Sequence, residues 1–307
     1  MDVLTDVLNT LRLKSSVYYR SQISTRDWSL RFNATQGAMF HVIDQGECFL
    51  EFAAEGQSGS EALHEGDLVV LPQGSAHVVS QQPHTAPLVS IQLDRDYPVY
   101  HHQHYPGDGA MTTLICGLFD FAHHNRYPLI AFMPALLRFT GDQCREAGLD
   151  ATLRLIREES KRARPGVQTL LNRLSDVLFV QVVRLWLDDP STQVRGWLGA
   201  LQDALVGQAL ALIHSQPGHN WTVASLARGV AMSRSAFAER FTLLVGQSPY
   251  QYLIHWRMQT ALMLMDENHL PLGEIALRVG YESEAAFHKA FKREMGISPG
   301  AYRRSLT

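Results

Sequence analysis

The sequence predicts two domains: an all-β barrel with appended helices, then an all-α domain holding two helix-turn-helix units. Three observations carry this expectation. A segment near the C-terminus recurs in register fifty residues further on. The front half alternates short β-rich runs with turn residues, and the formal charge changes sign between the halves. At 307 residues the chain is long enough for about two domains. A hydrophobic fraction of 46% and a charged fraction of 19% are ordinary for a folded globular protein.

The repeat sets Ser233, Phe237, Phe241, Gly246, Ser248, Pro249 and Tyr252 against Ser283, Phe287, Phe291, Gly296, Ser298, Pro299 and Tyr302. A duplication of this kind means that one supersecondary unit is used twice. In the first copy Thr222 caps a short helix carrying Val223, Leu226 and Ala227, and Gly229 to Met232 make a turn. Ser233 then caps a second helix with Phe237 and Phe241 on one face. In the second copy Pro271 opens a helix with Ile275, Ala276 and Val279, Gly280 and Tyr281 turn, and Ser283 caps the next helix. The small alanine permits a close helix crossing, and a turn glycine permits a positive φ. An ordinary all-helical domain with amphipathic hairpins is the plainer alternative; a repeat in register, with caps and turn in place, argues against it. From Ser248 and Pro249 a helix to about Glu267 joins the copies. Its length, roughly 30 Å, is close to the ~34 Å of one DNA turn.

The run from Ile275 and Ala276 through Gly280, Tyr281, Ser283, Phe287, Phe291 and Lys292 to Gly296, Ser298, Pro299, Tyr302 and Arg303 resembles the signature of the AraC/XylS family of bacterial transcription regulators. Leu226 to Phe241 resembles that family's weaker first motif. The resemblance covers roughly the last hundred residues. It implies binding to double-stranded DNA, control by a small-molecule effector, and engagement of RNA polymerase.

Charge is consistent with this. The net charge is −3, but the residues from Leu198 onward carry ten Lys/Arg against eight Asp/Glu, leaving 17 against 22 in front. With so small a surplus, affinity depends on where the charges sit: Lys289, Lys292, Arg293, Arg303 and Arg304 in the second copy, and Arg234, Arg240 and Arg257 in and after the first. If the phenylalanines face inward, the positions pointing away are the DNA readers. These are Ser235, Ala238 and Glu239 with Arg234 in the first copy, and Ala285, His288 and Lys289 with Glu284 and Lys292 in the second. Lys289 is the best guanine reader among them.

The front half, residues 1–124, reads as the barrel. Strand-like runs begin at Ser16, Met39, Cys48, Asp67, Ala76, Leu88 and Thr112. Gly66, Pro72, Gly74 and His77 resemble the second motif of the cupin superfamily, whereas most of the first motif is missing: Gly46 closes it, and Met39 stands in place of the glutamate. That resemblance implies a cupin-like sensor barrel. His41 and His77, with Cys116, Trp28 and Phe32, are the candidate effector pocket. His41, His77 and Cys116 are also the candidate metal ligands, although interior side chains of a pocket or core are the favoured reading and no cofactor is required. A metal-dependent cupin enzyme of dioxygenase or isomerase type, with a regulatory DNA-binding domain, is the main alternative. The missing His-x-His pair counts against it. A third alternative is a DNA binder without a ligand. His101, His102, His104, His123 and His124 read as surface loop residues, and no catalytic constellation emerges.

Residues 125–187 read as a helical segment for packing and dimerisation. Ala151 to Ala163 form one helix. A second carries Val167, Leu170, Leu171, Leu174, Val177, Leu178, Val182 and Leu185 on a stripe that suits a homodimer seam. Residues 188–200 read as the linker and 201–307 as the DNA-binding domain. Cys48, Cys116 and Cys144 form no C-x-x-C pair, which fits a reducing cytoplasm. No apolar run reaches the ~18 residues of a membrane span, and the first residues lack the regions of a signal peptide. The expectation is a cytoplasmic protein without a membrane partner.

Overall fold

The computed structural model describes residues 5, 8, 13–54, 57–87, 89–91, 100–121, 130, 133–162, 164–188, 200, 203–267 and 270–304. They fall into two compact units, one within Leu11–Thr192 and one made mainly of Gln193–Thr307.

The first unit holds eleven described strands: β1 Leu13–Ile23, β2 Ser29–Phe32, β3 Ala38–Gln45, β4 Glu47–Ala54, β5 Gln57–His64, β6 Leu68–Leu71, β7 His77–Ser80, β8 Val89–Ile91, β9 His101–Tyr105, β10 Thr112–Phe121 and β11 Leu137–Phe139. They form a six-stranded sheet in the order β11-β6-β3-β10-β1-β9 and a five-stranded sheet in the order β5-β4-β7-β2-β8. Alternate residues of both sheets fill the space between them. Met39, Ile43, Val69, Leu114 and Cys116 come from one side, and Leu30, Phe32, Cys48, Leu50 and Val79 from the other. The turn before β7 requires Gly74. Its φ is +64°, and a Cβ there would lie 2.3 Å from the Thr35 carbonyl oxygen.

Four strands escaped the sequence: β2, β5, β9 and β11. The most consequential is β9, because His101, His102 and His104 lie in a strand paired parallel to β1 rather than in a surface loop. Its alternating half-buried and exposed residues, all polar or aromatic, give no apolar period to read. His123 and His124 lie outside the described residues.

Among the described residues three helices follow the strands: α1 Gly141–Glu146, α2 Leu149–Ser160 and α3 Val167–Asp188. The predicted stripe of α3 splits in two. Leu171, Leu178 and Val182, joined by Phe179, Val183 and Trp186, are buried, with Phe179 packing on Phe119 and Phe121 of β10. Leu170 and Val177 remain 46% and 49% exposed, as does Leu155 of α2 at 57%. A buried ion cluster holds α2 to the sheet, with Asp44 taking Arg20 at 2.6 Å and Arg157 at 3.3 Å. Asp188 belongs to α3 rather than to the linker, and residues 189–199 are not described.

The second unit holds α4 Ala204–Ser215, α5 Val223–Gly229, α6 Arg234–Val245, α7 Pro249–Glu267, α8 Leu272–Arg278, α9 Glu284–Met295 and α10 Pro299–Arg304. Helix α4 has no counterpart in the sequence reading. It packs through Val206, Ala209, Leu210 and Ile213, and its His214 stacks on Trp256 of α7 with ring centroids 3.6 Å apart. The joining helix α7 spans 19 residues, roughly 28 Å. Among the described residues no helix is long and apolar enough to cross a membrane.

Candidate DNA-reading helices and the barrel interior

The duplication extends to ring geometry. Phe237 and Phe241 of α6 have centroids 5.5 Å apart and planes at 59°; Phe287 and Phe291 of α9 are 5.6 Å apart at 59°. Ser233 and Ser283 accept hydrogen bonds from the backbone N–H groups of Ala236 and Ala286. Gly246 and Gly296 end the two helices at φ +82° and +76°. Thr222 caps α5 in a reciprocal box with Ser225.

The turns between the paired helices differ. Met232 N–H donates to the Ala227 carbonyl and Tyr281 N–H to the Ala276 carbonyl, so Ala231 stands where Gly280 stands in the second copy. Gly229 is the last residue of α5, and the left-handed residue of the first turn is Ala231, at φ +56°. Replacing Gly280 in the same way would force a shift, because a Cβ there would lie 2.9 Å from the Gly218 carbonyl oxygen and 2.5 Å from Arg257 Nη2, which donates to the His219 carbonyl.

Each buried pair of phenylalanines turns the opposite face of its helix outward. Arg234, Ser235 and Glu239 are exposed and Ala238 is half-buried; Glu284, Ala285, Lys289 and Lys292 are exposed and His288 is half-buried. His288 lies 3.8 Å from the Glu284 carboxylate, so these two neighbours face each other. The cations grouped by sequence separate into two kinds. Arg257 is buried, donates to the Pro217 and His219 carbonyls, and lies over the Tyr281 ring; Arg303 donates to the Leu270 carbonyl. Arg240 is held by Asp203 and Arg293 by Glu294. Among the described residues Arg234, Lys289 and Lys292 have no ion-pair partner, and neither does Arg228, which the sequence reading passed over.

The barrel centre holds a chain of buried groups. His77 Nδ1 is 2.9 Å from the Ser75 carbonyl, His77 Nε2 is 2.7 Å from His41 Nε2, and His41 Nδ1 is 3.0 Å from Cys116 Sγ. Phe32 stacks on the His77 ring with centroids 5.0 Å apart. Trp28 is buried in the same core, and its indole N–H has no acceptor among the described residues. Burial and the neighbouring His77 hold the His41 pKa well below its ordinary value, and burial pushes His77 down to about 4. Burial raises the Cys116 thiol above its usual range.

His77 and Cys116 approach His41 through opposite ring nitrogens, so the three donors do not converge on one point. Among the described residues no group of three or more His, Cys, Asp or Glu is placed to hold a metal ion. A cleft of about 420 Å³ opens on the five-stranded sheet, and of the five candidate effector residues only His77 lines it.

A two-sheet barrel with packed helices and a duplicated helix-turn-helix unit define a two-domain DNA-binding regulator. The comparisons agree. A Cupin family model matches residues 2–188 and a Helix-turn-helix domain model matches residues 226–305. A putative AraC-like transcription regulator of Streptomyces lividans is 34% identical over all of this chain and 99% of its own. The RCS-specific HTH-type transcriptional activator RclR of Escherichia coli is 30% identical, over 99% of this chain and 97% of its own. The DNA-binding domain of AdpA, solved with a target DNA, is 33% identical over 33% of this chain and 90% of that chain, with a TM-score of 0.31. The chain belongs to the AraC family of transcription regulators with an N-terminal cupin domain.

Proposed function

We propose that the protein reads DNA with α6 and α9 and changes its DNA binding when a small molecule occupies the barrel unit. The observation that carries the DNA reading is the pair of matched helices, each anchored by two buried phenylalanines. Their outward faces carry Arg234, Lys289 and Lys292, which have no ion pair among the described residues. Arg234 contacts phosphate, Lys289 a guanine edge, and Ser235, Ala238, Glu239, Ala285, His288 and Glu284 line the base face. The length of α7 supports placing both helices in successive major-groove segments on one DNA face.

The barrel unit is the effector domain and works by binding rather than by catalysis. The indole N–H of Trp28, buried in the barrel core without an acceptor among the described residues, supports a ligand reaching this interior. The exposed Leu170 and Val177 edge of α3 supports a homodimer seam. The Escherichia coli relative is named an activator, which supports activation through RNA polymerase as the output, in the cytoplasm. Selection of duplexes from a randomised pool by the full chain tests the central reading. An enriched motif with two contacted segments about one DNA turn apart is expected, and equal binding to every duplex would overturn it.

A further inference from the structure

The cleft on the five-stranded sheet is built on its outer face. Arg31 of β2 and Glu51 of β4 both pair in register with Val78 of β7, so the three form a row across the sheet. Their inward neighbours Phe32, Leu50, Phe52 and Val79 belong to or pack on the core. The row carries opposite charges in different states. Both Glu51 oxygens are engaged by His84, one by its backbone N–H and one by ring Nδ1, each at 2.9 Å. His84 holds this clamp at φ +62°, a left-handed conformation that costs a side chain-bearing residue energy. Arg31 has no ion pair or hydrogen bond among the described residues and stands at the other side of the cleft.

The cleft therefore offers a guanidinium uncommitted among the described residues, an apolar floor from Ala53, Ala76 and Val78, and the Ser58 and Ser60 hydroxyls. At about 420 Å³ it falls within the size range of small-molecule sites, roughly 300–1,000 Å³. A guanidinium fork matches a carboxylate with two parallel hydrogen bonds. The Glu51 carboxylate across Val78 disfavours a dianion. We propose that this cleft binds a small apolar monocarboxylate, with Arg31 holding the carboxylate and Val78 and Ala53 against the apolar body. Strand β7 presents Val78 to the cleft and the adjacent His77 to His41, so an occupant bears on the strand that carries the buried pair. This deepens the reading of the barrel unit as the effector domain, moving the ligand from the interior to the outer face.

The test is calorimetric titration of the full chain with benzoate and hexanoate, each against its neutral amide. At least one carboxylate binds at millimolar concentration or below. Its amide binds about tenfold more weakly or worse, and Arg31→Gln weakens the carboxylate by a similar factor. Ser60→Trp, which fills the cleft while leaving Arg31 in place, abolishes binding; unchanged thermal unfolding of both variants controls for folding. Absence of binding by both carboxylates, equal binding of the amides, or full affinity in Arg31→Gln would each overturn the proposal. DNA binding of the ligand-free chain, measured in parallel, separates the two readings. A failed cleft with intact DNA binding leaves the regulator standing, whereas loss of sequence-specific DNA binding fails the regulator whatever the cleft does.

Discussion

The Nε2 atoms of His41 and His77 lie 2.7 Å apart in the barrel centre, and a single hydrogen sits between them. The chain of partners fixes which ring carries it. The Ser75 carbonyl can only accept, so His77 Nδ1 bears a hydrogen and, in a neutral ring, His77 Nε2 is an acceptor. His41 then donates from Nε2, its Nδ1 accepts, and the Cys116 thiol donates to it. Every hydrogen bond in the chain is satisfied while both rings are neutral. An added proton would put two N–H groups face to face in an apolar core.

Acid should therefore destabilise the barrel unit before ordinary carboxylate titration begins. Both histidines have folded-state pKa values below the ordinary 6.5, and His77 is pushed down to about 4. The unfolded chain takes up protons as pH falls through 6.5 while the folded chain refuses them. Stability is thus present above that value and is lost as pH drops towards the folded pKa, by about 1.4 kcal/mol per pH unit for each histidine in the window. His214 of α4, buried against Trp256 and pushed down to about 3, is such a group in the helical unit. Urea unfolding between pH 7.5 and 5 should show a steeper loss for the barrel unit than for the helical unit. Equal stability at both pH values would mean that the histidines are accessible to protons.

Replacing His77 by alanine breaks the chain at its centre. His41 Nε2–H loses its acceptor and Phe32 loses its stacking partner. The barrel unit should lose about 2–3 kcal/mol and respond weakly to any effector. DNA binding by the ligand-free chain should be kept, because the reading helices lie in the other unit. Fluorescence anisotropy with an operator duplex measures this. Loss of ligand-free DNA binding in a folded variant would count against two separable functions.

The first turn can be improved. Ala231 occupies the left-handed conformation that Gly280 occupies in the second copy. A β-carbon there costs about 1–2 kcal/mol, partly offset by the greater unfolded-state entropy of glycine. Ala231→Gly should therefore stabilise the helical unit by up to about 1 kcal/mol and raise its melting temperature by roughly 4 °C. A lowered melting temperature would show that the Ala231 methyl packs favourably enough to outweigh the strain.

Lys289 is the sharpest test of base reading. Lys289→Ala should weaken specific binding by about 1–3 kcal/mol and relax the preference at one operator position. If base preference is unchanged and only the salt dependence of binding flattens, Lys289 is a phosphate contact.

Legibility differed between the domains. The helix-turn-helix units could be read because their determinants are local: a capping serine, two phenylalanines four residues apart and a terminal glycine act within a dozen residues. The turn alanine and helix α4 could not be read so directly. Ala231 carries no propensity for a positive φ, and α4 belongs to no repeat. In the barrel the histidine at 77 stood out through its spacing from Gly66 and Gly74, but its bond to His41 joins strands of different sheets across 36 residues.

The sequence by itself determined the two-domain division, the duplicated unit, its caps, its inward phenylalanines and therefore its outward face. These follow from helical period and capping chemistry, which need only near neighbours. Tertiary structure alone decided which cations are free. Arg257 and Arg303 look like DNA contacts in the chain but are spent on backbone carbonyls, while Arg240 is spent on Asp203. It alone also closed the His41, His77 and Cys116 chain and set Arg31 and Glu51 in one row across β7. Side chains far apart in sequence meet only through strand register and packing, and no local pattern encodes which partner a buried polar group will find.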